Sequence, residues 1–163
     1  MSRATAVRLD LGALVHNLQR VRAAAPGRRV ATAVKAEGYG HGLLRVARSL
    51  DADAFAVACI EEALTLREAG IDRPILLLEG VFEVSELPFC ARHGLAIVVH
   101  HPEQVLMLER ARLEHPLRVW LKVDTGMHRL GLAPETVPAI YQRLRDCPAV
   151  APEMGLMSHL ARA

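Results

Sequence analysis

Residues 30–42 read VATAVKAEGYGHG, an apolar run that reaches Lys35 and then continues into a glycine-studded turn. An apolar run bounded in this way predicts a buried strand, here over about residues 29–36. A lysine at the point where a buried strand becomes a loop has less water around it than a surface lysine. Because low polarity disfavours the ammonium form, more of the amine is free to attack a carbonyl. Lys35 is therefore a candidate nucleophilic amine that could form a Schiff base.

Apolar runs alternate with amphipathic stretches along the rest of the chain. Helical patterns lie between the apolar runs, and Asp10 is placed to cap a helix that precedes the first strand. Five further strands are predicted, over residues 54–60, 74–79, 95–99, 117–123 and 153–159. Repeating βα units of about 20 to 25 residues indicate a parallel sheet with right-handed crossovers.

Two architectures fit this alternation, an open doubly wound sheet and a (β/α)8 barrel. A barrel needs eight units and rarely has fewer than about 200 residues, whereas this chain has 163. The sixth predicted strand is followed by only a few residues, so no helix covers it and its edge is left open. We therefore expect the chain to be the N-terminal piece of a longer protein.

The composition argues against several classes of protein. The net charge is +2, basic and acidic residues are interspersed, and there is no basic stripe with interleaved aromatic residues, so nucleic-acid binding is not expected. Three cysteines without a CxxC pair indicate free thiols in a reducing compartment. The chain shows no signal segment and no apolar run long enough for a membrane span, which predicts a cytoplasmic protein.

A second lysine lies inside the predicted fifth strand. Lys122 and Asp124 share one face of that strand, because side chains alternate between its two faces. An amine in an apolar strand must be paired or neutralised, and Asp124 is an available but imperfect partner. Arg129 follows in the next turn, and His159 lies near the end of the sixth strand. Since ligands bind at the carboxyl ends of parallel strands, these side chains and Lys35 could meet there.

Three ordered motifs resemble those of the alanine racemase family. The first is AVKAEGYGHG at residues 33–42, which resembles the lysine motif that binds pyridoxal phosphate in that family. The second is LKVDTGMHRLG at residues 121–131, and the third is MSHLA at residues 157–161. The spacings also agree. The resemblance covers essentially the whole chain and is closest to the catabolic-type bacterial enzymes.

The resemblance implies both a fold and an activity. Residues 1–163 would form an incomplete N-terminal domain of an α/β fold, a TIM-type (β/α)8 barrel truncated to about six parallel strands with flanking helices. The other barrel units and a C-terminal β-domain would lie outside this sequence. The full enzyme, a fold type III pyridoxal-phosphate isomerase, would be a cytoplasmic homodimer that interconverts L-alanine and D-alanine by two-base proton transfer. That activity supplies D-alanine for the cell wall, or degrades it in the catabolic branch.

The resemblance also implies a role for each matched residue. Lys35 would form the internal aldimine with pyridoxal 5′-phosphate and would serve as the base on the D-alanine face. Tyr39 would hold the cofactor phosphate through its hydroxyl. Arg129 would contact the phenolic oxygen of the cofactor and the substrate carboxylate, with His159 beside the cofactor. Lys122 would be carboxylated, and the resulting carboxylysine would accept hydrogen bonds from Arg129 and orient it.

Two features depart from the family pattern. Where the family usually has Asn or Asp followed by Ala, this chain has Glu37 and Gly38, which alters the loop beside the cofactor. The opposing base in the family is a tyrosine from the C-terminal domain of the partner subunit, and neither Tyr39 nor Tyr141 lies in that context. Two alternatives therefore stay open: a pyridoxal-phosphate-binding barrel protein without racemase activity, and a truncated inactive fragment.

Three other features have ordinary explanations. The His100-His101 pair has no third ligand at a suitable spacing, so no metal site is predicted. Glu61 and Glu62 suit the positive end of a helix dipole better than acid–base chemistry. The glycines of the first motif do not follow the GxGxxG pattern and are a weak phosphate signal by themselves.

Overall fold

The computed structural model describes residues 6–161 and folds them around a parallel six-stranded sheet in the order β1-β2-β3-β4-β5-β6. The strands are Ala31–Ala33 (β1), Ala54–Val57 (β2), Ile75–Leu77 (β3), Leu95–Val99 (β4), Arg118–Lys122 (β5) and Gly155–Met157 (β6). Each strand pairs with the next one along the chain. This sequential order belongs to a barrel wall, whereas a doubly wound sheet reverses its order at a switch point. The expected truncated barrel is therefore confirmed.

Helices pack on one face of this sheet. They are Leu11–Ala24 (α1), Lys35–Tyr39 (α2), Leu43–Ser49 (α3), Ile60–Glu68 (α4), Leu87–Arg92 (α5), Pro102–Arg110 (α6) and Val137–Arg145 (α7), with 3₁₀ turns at Val84–Glu86 and Pro134–Thr136. Asp10 caps α1 as predicted, because its Oδ1 accepts from the Ala13 N–H at 3.0 Å. Within residues 6–161, the helices are too short or too polar to cross a membrane.

The two faces of the sheet carry side chains of different size. The helix-facing side is bulky and at most 2 % exposed, with Phe55, Val57, Ile75, Leu77, Leu95, Ile97, Val99, Val119 and Leu121. The concave side carries five alanines, at positions 31, 33, 54, 56 and 96, beside larger residues such as Leu76 and Trp120. Small side chains leave space over the concave face, where a cavity of about 710 Å³ runs along the amino ends of the strands. The core therefore lies between sheet and helices, and the barrel interior stays open.

The strands other than β4 are shorter than predicted; β2, for example, was expected to reach residue 60 and ends at Val57. The first strand was expected to continue to residue 36, but β1 ends at Ala33 because the backbone turns left-handed from Ala36 onwards. The sixth strand was expected over residues 153–159, but β6 ends at Met157, so His159 lies beyond it. The predicted domain of residues 1–163 includes residues 1–5 and 162–163, which lie outside the described part of the chain.

Candidate active site at the carboxyl ends of the strands

The matched residues lie along one edge of the sheet. Lys35 follows β1, Lys122 is the last residue of β5, and His159 follows β6. Because all strands are parallel, these positions share the carboxyl rim, which is where ligands bind in barrels of this type. Lys35 and Lys122 are the two lysines of the sequence, so both primary amines of its side chains are at this rim.

The turn that contains Lys35 has an unusual backbone. Ala36 (φ 52°, ψ 54°), Glu37 (φ 55°, ψ 42°) and Gly38 (φ 61°, ψ 41°) are left-handed, and Tyr39 also has a positive φ of 56°. Each non-glycine residue in this conformation costs about 1–2 kcal/mol. Two backbone hydrogen bonds close the turn, from Gly38 N–H to the Val34 carbonyl at 2.8 Å and from Gly40 N–H to the Ala36 carbonyl at 2.9 Å. The α2 segment is thus a left-handed helical turn.

The two residues that depart from the family motif both fit this turn. Gly38 is buried with a positive φ, and a Cβ there would lie 3.0 Å from Val46 Cγ2, so glycine relieves both strain and crowding. Glu37 Oε2 accepts from the Leu43 N–H at 3.3 Å, which caps the first turn of α3. The departures therefore preserve the turn and do not loosen it.

The turn leaves Lys35 and Tyr39 exposed to solvent to different degrees. Lys35 is half-buried, whereas Tyr39 is 60 % exposed and presents its ring at the rim. Within residues 6–161, neither side chain forms a hydrogen bond or an ion pair, and the same holds for Lys122, Arg129 and His159. Lys35, Tyr39, Arg129 and His159 are therefore available to a ligand, whereas Lys122 is buried.

Lys122 is the buried amine of the site, with only 8 % of its surface exposed. Burial lowers the pKa of its ammonium group, the positive charge of Arg129 lowers it further, and the Asp124 carboxylate opposes both effects. Asp124, the available but imperfect partner, forms no salt bridge with Lys122 in the described part of the chain. Asp124 is engaged elsewhere, by the loop that follows β5.

Asp124 organises the loop that carries Arg129. Its Oδ1 accepts from the N–H groups of Gly126 and His128, each at 3.0 Å, and its Oδ2 lies 2.9 Å from His128 Nδ1. These hydrogen bonds and the charge of His128 hold the pKa of Asp124 down at about 2. The loop closes where the Asp124 N–H donates to the Leu132 carbonyl at 2.9 Å. Arg129 is thus held, exposed, on a closed loop.

The second and third motifs are joined by hydroxyl groups. Ser158 Oγ donates to the Val123 carbonyl at 2.9 Å and lies 2.5 Å from Thr125 Oγ1. These contacts tie the end of β6 to the Arg129 loop, and they leave His159 exposed on the rim. Sequence reasoning assigned no role to Thr125 or Ser158, although both lie inside the quoted motifs.

The donor set at the rim fits a phosphorylated carbonyl compound. The Lys35 amine can bond a carbonyl carbon, and the Tyr39 hydroxyl and the Arg129 guanidinium can donate to anionic oxygens. The cavity over the concave face lies at the other, amino ends of the strands, away from this donor set. Among residues 6–161, no three His, Cys, Asp or Glu side chains are placed to hold a metal ion. His100 instead contacts the Glu79 carbonyl through Nε2 at 3.0 Å.

We predict that Asp124→Asn destabilises the chain in a pH-dependent way. Because the folded pKa is about 2 and the ordinary value is 3.8, the charged carboxylate stabilises the fold fully above the ordinary value. That contribution disappears as the pH falls towards about 2. Urea midpoints of both proteins should therefore differ at about pH 5 and converge as the pH falls from about 4 towards about 2. A difference that does not change with pH would contradict this role of the carboxylate.

Comparison with known proteins agrees with the geometry. Residues 9–163 match the family model described as alanine racemase, N-terminal domain. The biosynthetic alanine racemase of Escherichia coli O6:H1 is 53% identical over 161 residues, which cover 98% of this chain and 45% of that protein. The motifs had suggested the catabolic type, whereas this relative is named biosynthetic. The chain spans less than half the length of such curated relatives.

Solved structures share the fold. The crystal structure of biosynthetic alanine racemase from Pseudomonas aeruginosa superposes with a TM-score of 0.88 at 45% identity, covering 93% of this chain and 43% of that one. A histidine racemase from Leuconostoc mesenteroides superposes with a TM-score of 0.79 at 25% identity, covering 93% of this chain and 42% of that one. Matched by the family model over nearly its whole length and by close relatives in sequence and structure, the chain belongs to the alanine racemase N-terminal domain family.

Proposed function

We propose that this chain is the cofactor-bearing half of an alanine racemase that interconverts L-alanine and D-alanine with pyridoxal 5′-phosphate. The observation that carries the proposal is the position of Lys35. It follows β1 at the carboxyl rim of a racemase-type half-barrel, in a left-handed turn, with Arg129 and the buried Lys122 on the same rim. The names of the relatives support alanine as the substrate.

Four side chains would hold the cofactor. Lys35 would bond its aldehyde carbon, Tyr39 would donate to its phosphate, and Arg129 would donate to its phenolic oxygen with His159 alongside. When bound, the cofactor withdraws electrons from the α-carbon of the amino acid and so makes the α-proton acidic. The chain supplies binding, orientation and the groups that move that proton.

Lys35 would act as the base on the D-alanine face. With the substrate in place, its half-buried amine would take and return the α-proton. Racemisation needs a second base on the opposite face. Tyr39 shares the turn of Lys35, and Tyr141 lies in α7 on the helix layer, so neither is placed to serve. The opposing base is therefore proposed to come from the rest of the enzyme.

Lys122 would act through Arg129. A lowered ammonium pKa leaves more neutral amine, which can add to carbon dioxide and release one proton to give a carbamate anion. That change replaces an unfavourable pair of neighbouring cations with a charge-assisted hydrogen bond, which would direct the Arg129 guanidinium towards the substrate carboxylate. Carboxylation of Lys122 thus accounts for a buried lysine that has no ion-pair partner among the described residues.

Other parts of the assignment stay predictions. The histidine racemase shares this half-barrel fold, so the fold alone does not identify the substrate. The homodimer and the cytoplasmic location also stay predictions.

We expect pyridoxal 5′-phosphate to attach to Lys35. After incubation with the cofactor and reduction with borohydride, peptide mass spectrometry should find the adduct on Lys35, because its half-buried amine is the reactive one. Lys35→Arg should abolish that adduct, whereas Lys122→Gln, the matched control at the other lysine, should retain it. A label spread equally over Lys122 and the amino terminus would contradict the assignment.

We also expect Lys122 to bind carbon dioxide. In ¹³C-bicarbonate at neutral pH, a carbamate carbon signal should appear in the NMR spectrum of the native chain, because burial and Arg129 favour the neutral amine. Lys122→Gln should remove the signal and Lys35→Arg should leave it. A signal that disappears only in Lys35→Arg would show that the carbamate forms on Lys35 and would contradict the proposal.

A further inference from the structure

Glu62 contacts the turn that contains Lys35, and no motif gives it a role. It lies in the first turn of α4, next to the carboxyl ends of β1 and β2. Its Oε1 accepts from the Ala36 N–H at 2.5 Å, and its Oε2 accepts from the Ala58 N–H at 2.8 Å. One carboxylate therefore joins the residue that follows Lys35 to the residue that follows β2.

These two N–H groups lie where the ladder between β1 and β2 ends. The backbone hydrogen bond that lies just past β1 runs from the Val34 N–H to the Ala56 carbonyl, at 2.9 Å. Ala36 is then left-handed, and its N–H is bonded to the Glu62 carboxylate and not to β2. The Glu62 carboxylate accepts from one N–H beyond each strand. It therefore links the two chain segments where their backbone pairing has ended.

We propose that Glu62 is a positioning residue for Lys35, one that holds the left-handed turn and thereby sets the direction of the lysine amine. Glu62 touches backbone N–H groups and no reacting atom, so it acts only through the turn. The inference rests on the proposed function in one respect, namely that Lys35 is the lysine that binds the cofactor.

The contacts require a glutamate in particular. A glutamine has one acceptor oxygen and one NH₂ donor, so one of the two N–H groups would face another donor. An aspartate is one methylene shorter and reaches only one of them. Glu61 offers a matched control, because it is the neighbouring carboxylate, is exposed, and leaves the Ala36 and Ala58 N–H groups to Glu62.

Amide hydrogen exchange in the cofactor-free chain tests the contact itself. In Glu62→Gln the Ala36 and Ala58 amides should exchange about tenfold faster, as the loss of a charge-assisted hydrogen bond implies, while Glu61→Gln leaves both rates unchanged. Unchanged Ala36 exchange in Glu62→Gln would overturn the proposal. If that variant loses protection throughout, including at Ile97 in β4, Glu62→Asp replaces it, and faster exchange of only one of the two amides is then the supporting result.

The rate of borohydride-trapped attachment of pyridoxal phosphate to Lys35 tests the consequence. It should fall about tenfold in Glu62→Gln and stay at the native rate in Glu61→Gln. Native-rate trapping in Glu62→Gln, despite faster Ala36 exchange, would show that the turn does not direct Lys35 and would overturn the proposal. If the native chain traps no cofactor on Lys35, the proposed function fails, and the exchange rates still decide whether Glu62 holds the turn.

Discussion

The site depends on a left-handed turn placed directly after a buried strand. Three residues without glycine's freedom, Ala36, Glu37 and Tyr39, have positive φ there, and each costs about 1–2 kcal/mol in that conformation. Such strain persists only where the surroundings determine it, and here the Val34 and Ala36 carbonyls and the Glu62 carboxylate do so. The turn ends the ladder of β1 early and brings Lys35 and Tyr39 together at the rim.

A second constraint acts at the other side of the rim. The concave face places Lys122 where water is scarce and where Arg129 adds a like charge, so its ammonium form is disfavoured. Asp124 does not relieve this, because its carboxylate already satisfies two loop N–H groups and His128. The same hydrogen bonds that deprive Lys122 of a partner hold the loop that carries Arg129. The Asp124 carboxylate therefore affects both residues, because it holds the loop of Arg129 and leaves Lys122 without an ion-pair partner.

The sequence was sufficient for the architecture and for the identity of the rim residues. Strands buried against helices read as apolar runs, and the interspersed helical patterns imply parallel pairing, so all six strands could be placed. The end of β1 could not, because the glycines at 38, 40 and 42 indicate a turn but not its hand. Asp124 was an available but imperfect partner for Lys122 because the two share a strand face. The Asp124 carboxylate instead accepts from N–H groups of the following loop, and a local sequence pattern does not reveal that the loop folds back in this way.

Glu62 was missed for a related reason. At the start of a helix, a glutamate is explained well enough by the helix dipole, and its contact with Ala36 spans 26 residues of sequence. A tertiary hydrogen bond of this kind leaves no periodic signal. A left-handed residue after a motif lysine is, however, a reason to look for the side chain that accepts its N–H.

The central claim, that Lys35 is the base for one substrate face, is tested most directly by α-proton exchange in D₂O. With the cofactor-loaded chain, ¹H NMR should show D-alanine losing its α-proton signal while keeping its configuration, and L-alanine should exchange no faster than with free cofactor. Lys35→Arg should remove the difference. Equal exchange of both enantiomers, or none from a chain that holds the cofactor on Lys35, would contradict the account.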